Sequence, residues 1–112
     1  MRFVTSIASA MLLSGLFITA FIAQARPTAN GSELYKANCA MCHRVDGKGF
    51  PAMKTPDFTS PKWQASLTDE KVAAIIKNGK KGTAMPDFAG KLKDDEIHAL
   101  VGYLRSLGGK KK

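Results

Sequence analysis

Apolar residues recur at a helical spacing near the end of the chain. The stripe consists of Ile97, Leu100, Val101, Leu104 and Leu107, which follow one another at intervals of three and four. This period predicts one apolar face of an α-helix. Three acids, Asp94–Glu96, precede the stripe and Gly108-Gly109 follow it, as is typical of a helix start and stop. Lys93 stands where a Ser or Thr cap would be expected.

Two further helices are predicted upstream. The first begins after Asn30-Gly31-Ser32, carries Glu33 in its first turn, and runs towards Cys39. The second has Thr68 as its N-cap and closes at Asn78-Gly79, where the pair suits a positive φ. Its apolar side consists of Val72, Ala73, Ile75 and Ile76. Residues 47–61 are rich in Gly and Pro and have no period, so they predict a loop. With no alternating strand pattern, the chain predicts one all-α domain.

The N-terminal segment has the pattern of a signal peptide. Arg2 supplies a positive start, residues 3–22 are largely apolar, and Ala23-Gln24-Ala25 resembles a cleavage site. We therefore expect residues 1–25 to be a cleaved signal peptide and residues 26–112 to form the exported domain, in a bacterial periplasm. The alternative is a retained membrane anchor, because about 20 apolar residues can span a bilayer. Contact with a membrane is expected only in that case.

The charge of the chain is strongly basic. Seventeen Lys plus Arg oppose nine Asp plus Glu, and removal of Arg2 with the leader leaves 16 against 9, a net charge of +7. Such a charge favours association with acidic protein partners, although it also serves simple solubility. Nucleic acid is not an expected partner, because an exported protein rarely meets it and no recognition motif is present.

The candidate chemistry lies in Cys39-Ala40-Met41-Cys42-His43. Two cysteines three positions apart, followed directly by a histidine, form the attachment signature for c-type haem. The sulfurs project to one side of a helical turn and can form two thioethers, while His43 binds the iron. A redox dithiol fits less well, since no βαβ pattern surrounds the motif. A closed zinc site needs four ligands; the sequence offers only these three residues and His98, and the adjacent Cys42 and His43 are poorly placed to bind one tetrahedral ion together.

The second axial ligand of the iron is predicted to be Met85. Pro86 biases Met85 towards an extended backbone, on a loop that Gly82 opens. Met53, on the long loop, is a competitor, and Met41 lies too close to His43 to reach the opposite face of the ring. His98 falls away from the apolar stripe of the last helix and is expected to be solvated.

Taken together, these residues resemble a class I c-type cytochrome, small, monohaem and exported. The resemblance covers most of residues 31–107 and rests on Gly31, Tyr35, the Cys39–His43 motif, Met85-Pro86, and the Leu100 and Tyr103 pair. It implies an all-α fold of three to four helices wrapped around one covalently attached haem c. In that family the first and last helices cross, so Gly31 would permit close approach and Tyr35 would meet Leu100 and Tyr103.

The resemblance also implies two less direct haem contacts. A proline after the motif supplies the carbonyl that accepts from the proximal imidazole in this family; Pro51 is our choice and Pro56 the alternate. Trp63 would resemble the donor to a haem propionate, although a single Trp can equally be plain core.

The predicted function is electron transfer with His43 and Met85 as axial ligands, without catalysis or a small-molecule substrate. The positively charged Lys80, Lys81, Lys91 and Lys93 flank the Met85 loop and are expected to help an acidic redox partner dock. Two alternatives remain: a haem-bearing subunit of a periplasmic oxidoreductase complex, and a peroxidase or sensor with a labile sixth ligand.

Overall fold

The computed structural model describes residues 28–109, so the predicted signal peptide lies outside the described residues. The elements are α1 (Gly31–Asn38), α2 (Ala40–His43), a 3-10 turn (Pro51–Met53), α3 (Pro61–Ser66), α4 (Asp69–Asn78) and α5 (Asp94–Gly108). No strand occurs between residues 28 and 109, and the all-α prediction is confirmed. The five α-helices of residues 28–109 exceed the expected three to four because the attachment turn and residues 61–66 each form a short helix. None of the described helices is long and apolar enough to cross a membrane.

Hydrogen bonds define the helix starts, and α1 begins at Gly31, two residues earlier than predicted. Asn30 Oδ1 accepts from the N–H groups of Ser32 and Glu33, at 3.1 and 3.3 Å. Thr68 Oγ1 accepts from the N–H of Lys71 at 3.3 Å. At α5 the Glu96 carboxylate accepts from the Lys93 N–H at 2.7 Å, and this bond replaces the missing side-chain cap.

Helix α3 was not predicted. Ser60 Oγ accepts from the N–H of Trp63 at 3.1 Å, and Pro61 occupies the first helical position. A Ser cap followed by Pro is a recognised helix start, and this was the signal available in the sequence. Six residues are too few to show a helical period, so the helix was assigned to the loop and the segment after it.

The core is built around α5. All five residues of its apolar stripe are buried. Five residues from other segments complete the core: Tyr35, Phe58, Val72, Ile76 and Phe88. Because burial of apolar surface is the main favourable contribution to folding, α5 is the scaffold against which α1, α3 and α4 pack.

The first and last helices cross closely, as the resemblance implied. A Cβ added to Gly31 would overlap the Ala99 carbonyl oxygen and lie 2.8 Å from its carbonyl carbon. One turn later, the rings of Tyr35 and Tyr103 pack with their centroids 5.1 Å apart. Tyr35 and Leu100 belong to the same buried cluster. The absence of a side chain at Gly31 therefore permits the crossing.

Arg105 ties α5 to the segment that joins α3 and α4. Its Nε donates to Asp69 Oδ1 at 2.7 Å, its Nη1 to the Gln64 carbonyl at 2.8 Å, and its Nη2 to the Leu67 carbonyl at 2.6 Å. The five N–H donors of a guanidinium make such a fork possible. Periodicity placed Arg105 on the polar side of the helix and gave no indication of these bonds.

Candidate functional site

The attachment motif folds as a single helical turn at the junction of α1 and α2. Cys39 ends α1, and its N–H donates to the Tyr35 carbonyl at 2.8 Å. The Cys39 carbonyl in turn accepts from the N–H groups of Cys42 and His43, at 3.1 and 2.9 Å. Residues three apart on a helical turn project to one side. The turn therefore presents both sulfurs together, with His43 directly after them.

The two thiols are free and differ in environment. Cys39 is half-buried and Cys42 is exposed. Burial raises the pKa of the Cys39 thiol to about 11, and the nearby Cys42 adds to this. Neither sulfur is engaged in a disulfide, so both remain chemically able to hold a vinyl-bearing macrocycle through thioethers.

His43 is set up as a ligand rather than as a charged surface group. Its ring stacks on that of Phe58, with centroids 4.8 Å apart and planes at 27°. Burial lowers the pKa of the imidazole, which favours the neutral, metal-binding form. Nδ1 is buried and has no hydrogen-bond partner among the described residues. Since an unsatisfied buried nitrogen is costly, this atom together with the two thiols fits a haem site.

The predicted contact from Pro51 to the imidazole is not present in the structure. Pro51 is exposed, and its carbonyl accepts from the Lys54 N–H at 3.0 Å. The carbonyl of the alternate, Pro56, packs against Gly49, where an added Cβ would be 2.5 Å from the Pro56 carbonyl oxygen. The Gly49 N–H itself donates to the His43 carbonyl at 3.1 Å. His43 Nδ1 has no partner among the described residues, so neither carbonyl accepts from it here and the accepting carbonyl stays a prediction.

Met85 lies on the loop between α4 and α5, half-buried against the core. Its N–H donates to Thr83 Oγ1 at 3.2 Å, and its carbonyl accepts from the Lys80 N–H at 3.4 Å. Gly79 has φ 71°, and an added Cβ would be 2.9 Å from the Met85 carbonyl oxygen. Backbone contacts therefore order the loop around Met85. By contrast, the competing Met53 is 52% exposed.

Trp63 is part of the same aromatic cluster. Its ring meets Phe58 edge-on with centroids 4.6 Å apart, and the Arg105 guanidinium carbon lies 5.6 Å from its centre. Phe58 thus contacts both His43 and Trp63. Sequence reasoning missed Phe58, because a lone aromatic in a Gly- and Pro-rich loop carries no periodic signal.

The attachment turn is bordered by exposed apolar side chains. In the described part of the chain, every large apolar residue that is exposed falls between residues 41 and 53: Met41, Val45, Phe50 and Met53. Met41 is 91% exposed.

Within residues 28–109, no group of three or more His, Cys, Asp or Glu side chains could hold a metal ion.

Comparison with known proteins places the chain in a family. The family of subunit III of cbb3-type cytochrome c oxidase matches residues 26–104. Cytochrome c6 of Nostoc sp. strain PCC 7120 is 35% identical over 91 residues, which cover 80% of each chain. The FixP subunit of the cbb3-type oxidase of Bradyrhizobium sp. strain ORS 278 is 33% identical over 88 residues. The alignment covers 79% of this chain but 30% of that subunit, so the chain spans about three-tenths of the length of this relative.

A solved structure has the same fold. The KustC0563 c-type cytochrome superimposes with a TM-score of 0.65 and 32% sequence identity, over 70% of this chain and 96% of that one. The helical architecture, the attachment turn and these relatives all indicate the same family. The chain belongs to the cytochrome c family, as a small class I c-type cytochrome with covalently bound haem c.

Proposed function

We propose that this cytochrome is a diffusing one-electron carrier in the bacterial periplasm, with His43 and Met85 as the axial ligands of its haem iron. The observation that carries the proposal is the single turn that presents two free thiols beside His43, whose buried Nδ1 has no protein partner among the described residues. Similarity over four-fifths of the length of cytochrome c6, a protein of the same size class, supports a stand-alone carrier.

Each residue of the site has a distinct task. Bound haem supplies a couple between ferric and ferrous iron. Cys39 and Cys42 hold its edge, and His43 provides a neutral imidazole donor. Met85 provides a thioether, a ligand that raises the reduction potential. Buried aromatics such as Phe58 exclude water from the site, and a low-dielectric surrounding disfavours the more charged ferric state.

The axial pair also determines whether the protein is an enzyme. With His43 and Met85 both bound, no coordination position is left for oxygen or peroxide, so we propose no catalytic activity and no small-molecule substrate. A peroxidase or sensor would instead have a labile sixth ligand. Carbon monoxide added to the reduced native protein distinguishes the two, and rapid binding would contradict firm Met85 ligation.

Mass spectrometry and absorption spectroscopy test the site directly. The exported protein should have the mass of residues 26–112 plus one haem, and Cys42→Ala should lose one thioether. Met85→Ala should change the axial-ligand bands in the absorption spectrum, whereas Met53→Ala should leave them unchanged. If Met53→Ala alters the spectrum and Met85→Ala does not, the sixth ligand is Met53. An unmodified polypeptide would contradict the whole proposal.

The proposed docking surface for an acidic redox partner consists of Lys80, Lys81, Lys91 and Lys93. All four side chains are exposed and lie on the segment that carries Met85. Lys91 Nζ is 5.6 Å from the centre of the Phe88 ring, which anchors one charge beside the core. Charges arranged in this way speed encounter with an acidic surface, and salt weakens the effect.

Charge reversal tests this surface against the overall charge. Replacing the four lysines with Glu should slow electron transfer to an acidic partner and flatten its dependence on ionic strength. The matched control reverses four exposed lysines outside the loop, Lys36, Lys48, Lys62 and Lys71. Equal effects in the two variants would show that only net charge matters, and would exclude a specific surface.

A second candidate function is that of a haem-bearing subunit of an oxidoreductase complex. The match to the cbb3-type subunit III family and to FixP favours it. Fractionation of cells that make the protein at native level separates the candidates. A carrier released by cleavage after Ala25 should appear in the periplasmic fraction, with Arg26 as its first residue. Retention in the membrane with an oxidase, or with an uncleaved leader, would favour the subunit.

A further inference from the structure

The residue directly after His43 has an unusual backbone conformation. Arg44 ends α2 with φ 65° and ψ 154°, a region that glycine occupies readily and that residues with a Cβ rarely adopt. Such a conformation persists where the surrounding structure fixes it, and it concentrates at functional sites. The contacts that hold Arg44 therefore bear on the position of His43.

The side chain of Arg44 does not provide this restraint. Its Nη2 lies 3.1 Å from Asp46 Oδ2, but the two side chains are 46% and 43% exposed. The guanidinium carbon is 5.8 Å from the centre of the Phe50 ring, which is also partly exposed. Exposed ion pairs of this kind contribute little to stability and so do not fix the backbone of Arg44. The main-chain contacts are better defined, and one of them is the Gly47 N–H, which donates to the Arg44 carbonyl at 3.1 Å.

The second main-chain contact of Arg44 comes from a buried tyrosine of α1, Tyr35. The hydroxyl of Tyr35 donates to the Arg44 carbonyl at 2.7 Å and lies 3.3 Å from the His43 carbonyl. The side chain is fully buried and packs on Tyr103. Burial raises the pKa of the Tyr35 phenol, so the hydroxyl keeps its proton and remains a donor. Through its own carbonyl, Tyr35 also accepts from the Cys39 N–H.

We propose that Tyr35 is a positioning residue for His43: its buried hydroxyl holds the strained backbone at Arg44 and thereby fixes the imidazole against Phe58. This role rests on the proposed function, in which His43 binds the iron. A phenylalanine would fill the same space in the core, so packing alone does not require the hydroxyl. The hydroxyl acts on the site because it bonds to the carbonyl of Arg44, the residue directly after the ligand, and lies within 3.3 Å of the carbonyl of the ligand itself.

A double-mutant cycle on the haem-loaded protein tests the proposal. Tyr35→Phe should raise the unfolding equilibrium constant by about two- to tenfold, the range for one neutral hydrogen bond. It should also raise the reduction potential, because a less constrained imidazole is a weaker donor to ferric iron. In the Arg44→Gly background, where the strain is relieved, the shift in potential should fall to less than half. In the Arg44→Gln background, which removes the charge but keeps the Cβ, the full shift should remain.

Tyr103→Phe is the matched control, because it removes a hydroxyl from the neighbouring ring and should not shift the potential. The proposal is wrong if Tyr35→Phe leaves the potential unchanged or lowers it, if the shift is equal in the two Arg44 backgrounds, or if Tyr103→Phe reproduces it. Failure of the proposed function itself would appear earlier, in the parent protein, as a lack of covalent haem.

A second measurement applies if Tyr35→Phe cannot be loaded with haem. Relief of strain predicts a higher denaturant midpoint for Arg44→Gly than for Arg44→Gln, even though glycine increases the entropy of the unfolded chain. An equal or lower midpoint would show that the Arg44 backbone is not strained and would overturn the proposal.

Discussion

Gly31→Ala should destabilise the protein, although alanine is the better helix former. Two effects oppose each other at this position. Alanine exceeds glycine by about 1 kcal/mol in a helix interior, and less at the first residue of α1. Against this, the new Cβ would overlap the Ala99 carbonyl oxygen and lie 3.0 Å from Tyr103 Cβ. The Ala99 carbonyl is backbone within α5 and cannot rotate away, so the helices must separate.

The magnitude follows from these two terms. Overpacking of a well-packed contact costs about 1–3 kcal/mol, so the free energy of unfolding should fall by about 1–2 kcal/mol net. The matched control is Gly102→Ala, in the middle of α5, where an added Cβ meets nothing within 4 Å. There the helix propensity acts alone and should raise the free energy of unfolding by up to about 1 kcal/mol.

Chemical unfolding of the haem-loaded protein, followed by circular dichroism, measures both changes. A difference of 2–3 kcal/mol between the variants corresponds to roughly 10 °C or more in melting temperature for a domain of this size. If Gly31→Ala proves as stable as the parent while Gly102→Ala is stabilised, the two helices do not cross as closely as the structure indicates.

Three further substitutions test other contacts. Arg105→Gln should lower the free energy of unfolding by about 2 kcal/mol, because the Leu67 carbonyl loses a charged donor. Arg105→Lys should recover only part of this loss, since a single ammonium group cannot make all the bonds of the guanidinium. Full recovery would show that the guanidinium geometry is unimportant. Trp63→Phe keeps a ring beside Phe58 but removes the indole N–H, so stability should fall by no more than about 1.5 kcal/mol. The Trp63→Phe protein should also have a shifted reduction potential, because the predicted bond from Trp63 to a haem propionate is lost. An unchanged potential would assign Trp63 to the core alone. Met41→Gln should change the unfolding free energy by less than about 0.5 kcal/mol, since the side chain is 91% exposed; a larger loss would mean that Met41 packs in the loaded protein.

Long periodic segments were predictable from the sequence. Helix α5 has five apolar residues at strict helical spacing, and each is buried. The cap at Thr68 was also identified correctly, because capping depends on local residues alone. The attachment motif is similarly local, since its chemistry lies in five consecutive residues.

Contacts between distant segments were not predictable. Phe58 reaches His43 and Trp63 only because the loop folds back, and its N–H donates to the Gly47 carbonyl at 2.8 Å. Arg105 bonds to carbonyls 38 and 41 positions away in sequence. No spacing rule encodes such pairs, because they depend on the tertiary packing of α3 and α4 against α5. The haem contacts of Pro51 and Trp63 are of the same kind and stay predictions.

The helix crossing and the haem attachment turn are joined by one short rigid element. Helix α1 begins at Gly31, where it meets α5, and ends at Asn38, directly before Cys39. Eight residues at about 1.5 Å each give a rod of roughly 12 Å, and its single buried residue, Tyr35, contacts both ends of the attachment turn. A displacement at Gly31 must therefore be carried to the cysteines and to His43. For this reason Gly31→Ala should shift the reduction potential as well as lower stability, whereas Gly102→Ala should affect stability alone. A Gly31→Ala protein with an unchanged potential would show that the loop contacts of Gly47 and Gly49 fix the site independently of α1.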